Sequence, residues 1–195
     1  RALPLLAAGH ALGFDEVALP TTDPRHRLSA RLLDSTGGSG SAPRTQTTQK
    51  AVTVSGDGFV HRFDPRTGLP ARMLVDDVDL LDRPTEINIW RAPTDNDRHI
   101  RLEWERAHYH QAAARAYAVD VSEEPRHVTI SAEVAVVAPT VQPVLRGQLT
   151  WTITDSDVLS LNLRLQRTLG FPSLPRLGLR LFLPESMNQV DYCGM

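Results

Sequence analysis

The sequence predicts an all-β fold, an antiparallel sandwich with one helical excursion. In the C-terminal half, apolar and polar residues alternate with period two over successive segments, the pattern of antiparallel strands with one wet face. In the first half, short apolar runs are separated by Gly, Pro and Asp clusters that read as turns. Only residues 100–118 break the two-residue period.

Taken in order, "HALGFDEVALP" and "HRLSARLLD" within residues 1–34 read as closing strands of a preceding domain, a piece too small to stand alone. Residues 35–50, "STGGSGSAPRTQTTQK", contain no large apolar side chain and read as a linker. The main domain then runs over residues 51–195. "AVTVSGDGFVHRFD" predicts two strands around a turn at Ser55-Gly56-Asp57-Gly58. "FDPRTGLP" predicts a turn in which Pro65 sits at the second position and Gly68 takes a positive φ. "ARMLVDDVDLLD" reads as strand, tight turn and short strand.

The alternation further on is explicit. Val128, Ile130, Ala132, Val134 and Val136 share one face, as do Leu145, Leu149, Trp151 and Ile153, and again Leu159, Leu161, Leu163 and Leu165. "TDSD" supplies the turn between the second and third of these strands, and "RLGLRLFLP" repeats the scheme. Between them, Leu102, Ala107, Ala112, Ala113 and Ala114 suit a helix with Asp97 at its N-cap.

A net charge of −2 and a pI near 6.4 supply no electrostatic footprint for nucleic acid or an anionic membrane. No apolar run approaches the length of a bilayer span. Cys193 is the only cysteine, so the chain holds no internal disulfide. The chain opens on Arg1 and stops mid-pattern at "VDYCGM", which reads as a piece of something longer.

Chemistry-bearing residues concentrate in "NIWRAPTDNDRHIRLEWERAHYH", residues 88–110. Glu103 and Glu105 are two apart, so on a helix their carboxylates diverge and cannot flank one glycosidic bond; a solvated helix face is the expectation. Glu105 and His108 have the spacing of di-iron bundles, which need a second copy and further Glu residues that the chain lacks. His108 with His110, and Asp95-Asn96-Asp97 followed by His99 and Arg101, match neither a zinc site nor a calcium loop. Two readings of Asp95, Asn96 and Asp97 stay open. In one, they tie down a loop after a strand and cap the helix. In the other, they line a polar cleft for sugar hydroxyls, with Trp90 or Trp104 stacking on a pyranose. No phosphate-binding Gly loop, nucleophile elbow or N-glycosylation acceptor occurs.

At "WRAPTDNDR", with "EWERAHYH" behind it, the sequence resembles the C-terminal portion of bacterial β-galactosidases of glycoside hydrolase family 2. "GHALGFDEVALP" resembles the end of that family's immunoglobulin-like domain, and "GDGFVHRFDPRTGLPARMLVDDVDLL" the opening of its final domain. "VDYCGM" resembles a later strand of the same domain. The resemblance implies a galactose-mutarotase-like β-supersandwich and a cytoplasmic parent that hydrolyses terminal β-D-galactosides such as lactose with retention. In that family the catalytic glutamates and the magnesium and sodium ligands sit on a barrel that precedes this region. No cofactor is therefore expected here.

The expectation is a non-catalytic part whose partner is the remainder of the β-galactosidase chain. Trp90, Arg91, Asp95, Asn96, Asp97 and Arg98 would border the galactoside pocket of the parent, and the loop after Asp97 looks shortened. Neither nucleic acid nor membrane is an expected partner. Unpaired sheet edges make homo-oligomerisation an expectation. The alternatives are a stand-alone carbohydrate-binding module and a mutarotase-like aldose epimerase, which needs a base and an acid converging in one cleft.

Overall fold

The computed structural model describes residues 2–7, 10–16, 41–139 and 141–188, the first two as backbone only. These residues form an antiparallel all-β sandwich with one short α-helix among them, in agreement with the predicted class. β1 (Ala2–Ala7) and β2 (His10–Glu16) form a hairpin. The reading of residues 1–34 as closing strands of a preceding domain falls largely on residues 17–34, outside the described residues, as does "VDYCGM".

One sheet runs in the order β3-β4-β5-β6-β7. Its strands are β3 (Arg44–Thr47), β4 (Val52–Gly56), β5 (Phe59–Asp64), β6 (Leu69–Val75) and β7 (Val78–Asp79). The predicted turns are where they were placed. Gly58 takes φ +77° between β4 and β5, and Gly68 takes φ +71° at the end of the Asp64–Gly68 turn. Asp76 and Asp77 both adopt positive φ (46° and 62°), which matches the right-handed twist of the strands they join.

β3 corrects the linker reading at residues 44–47; residues 35–40 of that stretch lie outside the described residues. Threonine-rich "RTQT" has β propensity, and pairing with Val52–Ser55 satisfies one side of its backbone. Glu123 then holds it across the sandwich, accepting from both the backbone N–H and the hydroxyl of Thr45. Composition reads polarity, and an edge strand is allowed to be polar on both faces.

The second sheet has the order β12-β11-β10-β9. It comprises β9 (Ala113–Glu123), β10 (His127–Val137), β11 (Leu145–Thr154) and β12 (Leu159–Arg167). The apolar sets predicted for β10 and β11 are all buried, and Val128, Ile130, Leu149 and Ile153 are wholly inaccessible. Each such side chain contributes roughly 1.5–3 kcal/mol over its exposed state. They face Val52, Val54, Phe59, Phe63 and Leu69 of the first sheet in one core. Trp151 spans the layers, its indole N–H donating to the Gly68 carbonyl at 3.1 Å and its ring 5.8 Å from Phe63.

A third, two-stranded sheet pairs β8 (Arg83–Asn88) with β13 (Gly178–Phe182). Here the predicted alternation of "RLGLRLFLP" fails. A register shift lies between Arg180 and Phe182, so Leu181 is 53% exposed while Leu179 packs against the core.

The single α-helix among the described residues, α1 (Ile100–Arg106), is shorter than the predicted 100–118 excursion. His108 enters the left-handed region at φ +55° and ends it. Ala113 and Ala114, expected in the helix, open β9 and pair with Val137 and Val136. A ladder along β10 outweighs alanine's helix propensity, which is at most a few tenths of a kcal/mol per residue against other good formers. His99, not Asp97, holds the N-cap position of α1. No helix among the described residues is long and apolar enough to cross a membrane.

Candidate functional site

The chain leaves β8 through a side-chain clamp. Asn88 Oδ1 accepts from the Trp90 N–H at 3.1 Å, and Asn88 Nδ2 donates to the Trp90 carbonyl at 2.9 Å. The amide thus replaces the ladder just where Pro93 forbids its continuation. Ile89 goes into the core, and Trp90 stays half-buried with its ring edge-on to Trp104 (6.4 Å) and His110 (5.5 Å).

Arg91 and Asp97 then close the loop on itself. The guanidinium donates Nη1–H to Asp97 Oδ2 at 2.6 Å and Nη2–H to Asp97 Oδ1 at 2.9 Å, a bidentate fork. Asp97 Oδ2 also accepts from the backbone N–H and hydroxyl of Thr94, at 2.8 and 2.9 Å. With this many donors, Arg91 first and the Thr94 amide next, the carboxyl is held far below the ordinary carboxylate range. A one-turn 3₁₀ helix, Asp95–Asp97, is the backbone consequence.

Three donors from this region also fasten the Pro-rich segment that precedes β13. Arg91 Nε–H donates to the Pro175 carbonyl at 3.2 Å, the Trp104 indole to Ser173 at 2.8 Å and the Tyr109 hydroxyl to Pro172 at 2.8 Å. A segment whose prolines lack N–H groups has carbonyls without a ladder, and side chains satisfy them. Burial pushes the Tyr109 hydroxyl up to about 12, so it stays a donor.

The six residues expected to border a pocket therefore divide. Arg91 and Asp97 neutralise each other, and Trp90 packs. Asp95, Asn96 and Arg98 are exposed and make no side-chain hydrogen bond or ion pair among the described residues. The loop is a rigid mount that presents a carboxylate, an amide and a guanidinium outward. Trp104, at 3% exposure, is core and is unavailable for stacking on a sugar. Glu103 and Glu105 are exposed, with Glu105 paired to Arg101 on the same helix at 3.7 Å.

This outward-facing loop sits in a chain whose relatives are consistent. The family model described as "Beta galactosidase small chain" matches residues 55–195. The chain belongs to the β-galactosidase small-chain family. It is 30% identical over 194 residues, 97% of its length, to a β-galactosidase of Actinobacillus pleuropneumoniae, covering 18% of that protein. It is 33% identical over 148 residues to one of Staphylococcus xylosus, covering 75% of this chain and 15% of the relative. A β-galactosidase of Clostridium acetobutylicum is 26% identical over 144 residues, covering 74% of this chain and 16% of the relative. The chain thus spans less than a fifth of the length of each of these relatives.

Two features of this β-galactosidase small-chain domain escaped the sequence reading. One is the contact of buried His61 with the partly exposed Asp157, 2.6 Å apart, between β5 and the β11–β12 turn. Its signal was a histidine at a core-facing position of "FVHRF". The other is a cleft of about 300 Å³ between β8, β13 and residues 109–114, lined in part by Trp90. No local pattern announces it, since its walls come from separated segments.

Proposed function

We propose that this domain is a non-catalytic part of a cytoplasmic β-galactosidase acting on terminal β-D-galactosides such as lactose, and that its loop at residues 91–98 forms one edge of the substrate pocket. The observation that supports this is the Arg91–Asp97 fork. It fixes the loop while leaving Asp95, Asn96 and Arg98 outward and free to hydrogen-bond sugar hydroxyls. Catalysis belongs, on this reading, to the remainder of the enzyme. The magnesium and sodium ligands likewise belong, on this reading, to the remainder of the enzyme.

The test has two arms. The 195-residue chain alone, incubated with lactose, is expected to release no galactose; release would overturn the non-catalytic assignment. In a β-galactosidase carrying this segment, Asn96→Ala is expected to raise KM about fivefold, one neutral hydrogen bond's worth, and Asp95→Ala about tenfold or more because its carboxylate is charged, with kcat less affected. An unchanged KM in both would remove the loop from the pocket.

A further inference from the structure

The cleft beside Trp90 has a composition that the loop reading does not use. It is lined by buried Leu69, Ile87, Tyr109 and Thr85 and by Ala112 to Ala114. Small alanine side chains on β9 leave the space open. Its polar groups divide into those already engaged and those still free. The Tyr109 hydroxyl and the Asn88 amide are taken by backbone partners. The His110 and Gln111 side chains make no hydrogen bond among the described residues and stand exposed at the rim. Thr85 is 3% exposed, and its buried hydroxyl has no partner.

An unpaired buried hydroxyl is costly unless something completes it. At the rim, Glu86 and Arg180 face each other with Oε2 and Nη1 3.4 Å apart, both about half exposed. Their charges cancel, so the mouth favours neither an anion nor a cation. It does offer an acceptor beside a donor, which suits a ligand carrying several hydroxyls. The half-buried Trp90 ring, edge-on to His110, adds an aromatic wall for the C–H face of such a ligand. A volume of about 300 Å³ lies at the small end of ligand clefts and fits one monosaccharide, not a chain.

We infer that this cleft binds a single uncharged hexose, held by the Glu86–Arg180 rim, Gln111, Thr85 and Trp90. The inference does not rest on the loop edge proposed above, residues 91–98, none of which lines the cleft.

The experiment is a galactose titration of the ¹⁵N-labelled 195-residue chain, followed by NMR at backbone amides and tryptophan indoles. Saturable shifts at the Trp90 indole and the Gln111 and Ala112 amides, with the Trp151 indole and the Asp95–Arg98 amides still, are the expected result. Thr85→Val, matched in shape, is expected to weaken the fit about fivefold. Gln111→Ala, at an exposed position, is expected to weaken it comparably and serves if Thr85→Val disturbs the Trp151 signal. Absence of shifts, or shifts unaffected by these variants, would overturn the site. Shifts confined to Asp95–Arg98 would do the same while leaving the loop reading intact. Tighter binding of galacturonate than of galactose would overturn the uncharged assignment.

Discussion

His61 Nε2 lies 2.6 Å from Asp157 Oδ1, which joins the middle of strand β5 to the turn between β11 and β12. The imidazole is wholly buried and stacks on Phe59 at 5.0 Å, while Nδ1 has no partner. Asp157 is therefore the one hydrogen-bonding contact of a buried ring among the described residues. It also occupies a left-handed conformation, φ +57°, that aspartate tolerates better than most residues.

Asp157→Gly keeps the backbone conformation accessible but strips the ring of its partner. A loss of about 1–3 kcal/mol in chemical denaturation is expected. Adding His61→Phe should recover most of it, because an apolar ring beside Phe59 leaves nothing unsatisfied. Strict additivity of the two changes would show that the contact carries no coupling.

Asp97 sets a pH dependence whose sign follows from its shift. Its carboxyl is depressed in the folded chain relative to the ordinary value of 3.8. The fork's contribution to stability is therefore full above that value and is lost as pH falls towards the folded one. Acid unfolding below about pH 4 should begin at the loop, read by fluorescence of neighbouring Trp104 and Trp90. Asp97→Asn should abolish this early change and lower the melting temperature at neutral pH. Asp95→Asn, at an exposed and unpaired carboxylate, should do neither.

Gly68 is required twice over. Its φ of +71° suits glycine, and a Cβ there would lie 2.9 Å from the Ala132 Cβ. Gly68→Ala is expected to cost about 2–4 kcal/mol from left-handed strain and overpacking together. Trp151→Phe removes the donor to the Gly68 carbonyl and should cost about 1–3 kcal/mol. A thermal shift below that of an exposed β12 control such as Asn162→Ala would contradict both.

Glu103 and Glu105 provide a negative expectation. Glu103→Gln and Glu105→Gln together should change stability by less than about 0.5 kcal/mol, since both are surface side chains with at most one exposed ion pair. The same double change should leave galactoside hydrolysis by an enzyme carrying this segment untouched. A large loss of rate would return the pair to consideration as chemistry.

The β strands were legible because a period of two is local. Val128 to Val136 and Leu145 to Ile153 declare their inner face without reference to any other residue, and the turns at Gly58, Gly68 and Asp76-Asp77 declare themselves by φ preference. The loop was legible in part. "RAPTDND" announced a structured, polar turn, but the division of labour within it was not visible. Which of its carboxylates is consumed depends on Arg91 reaching Asp97 rather than Asp95, a question of three-dimensional reach.

Local pattern thus settled the fold class, the sequence of β10 to β12 and the family resemblance at the "WRAPTDNDR" loop. Contacts between distant residues settled the rest. β13 joined β8 across some ninety residues of sequence, "RTQT" became an edge strand held by Glu123, and Ala113 entered a ladder instead of a helix. Each outcome turns on backbone groups finding partners far along the chain. Backbone hydrogen bonding is nearly indifferent to side-chain identity, so the partner is chosen by the packed whole and is not written into either segment alone.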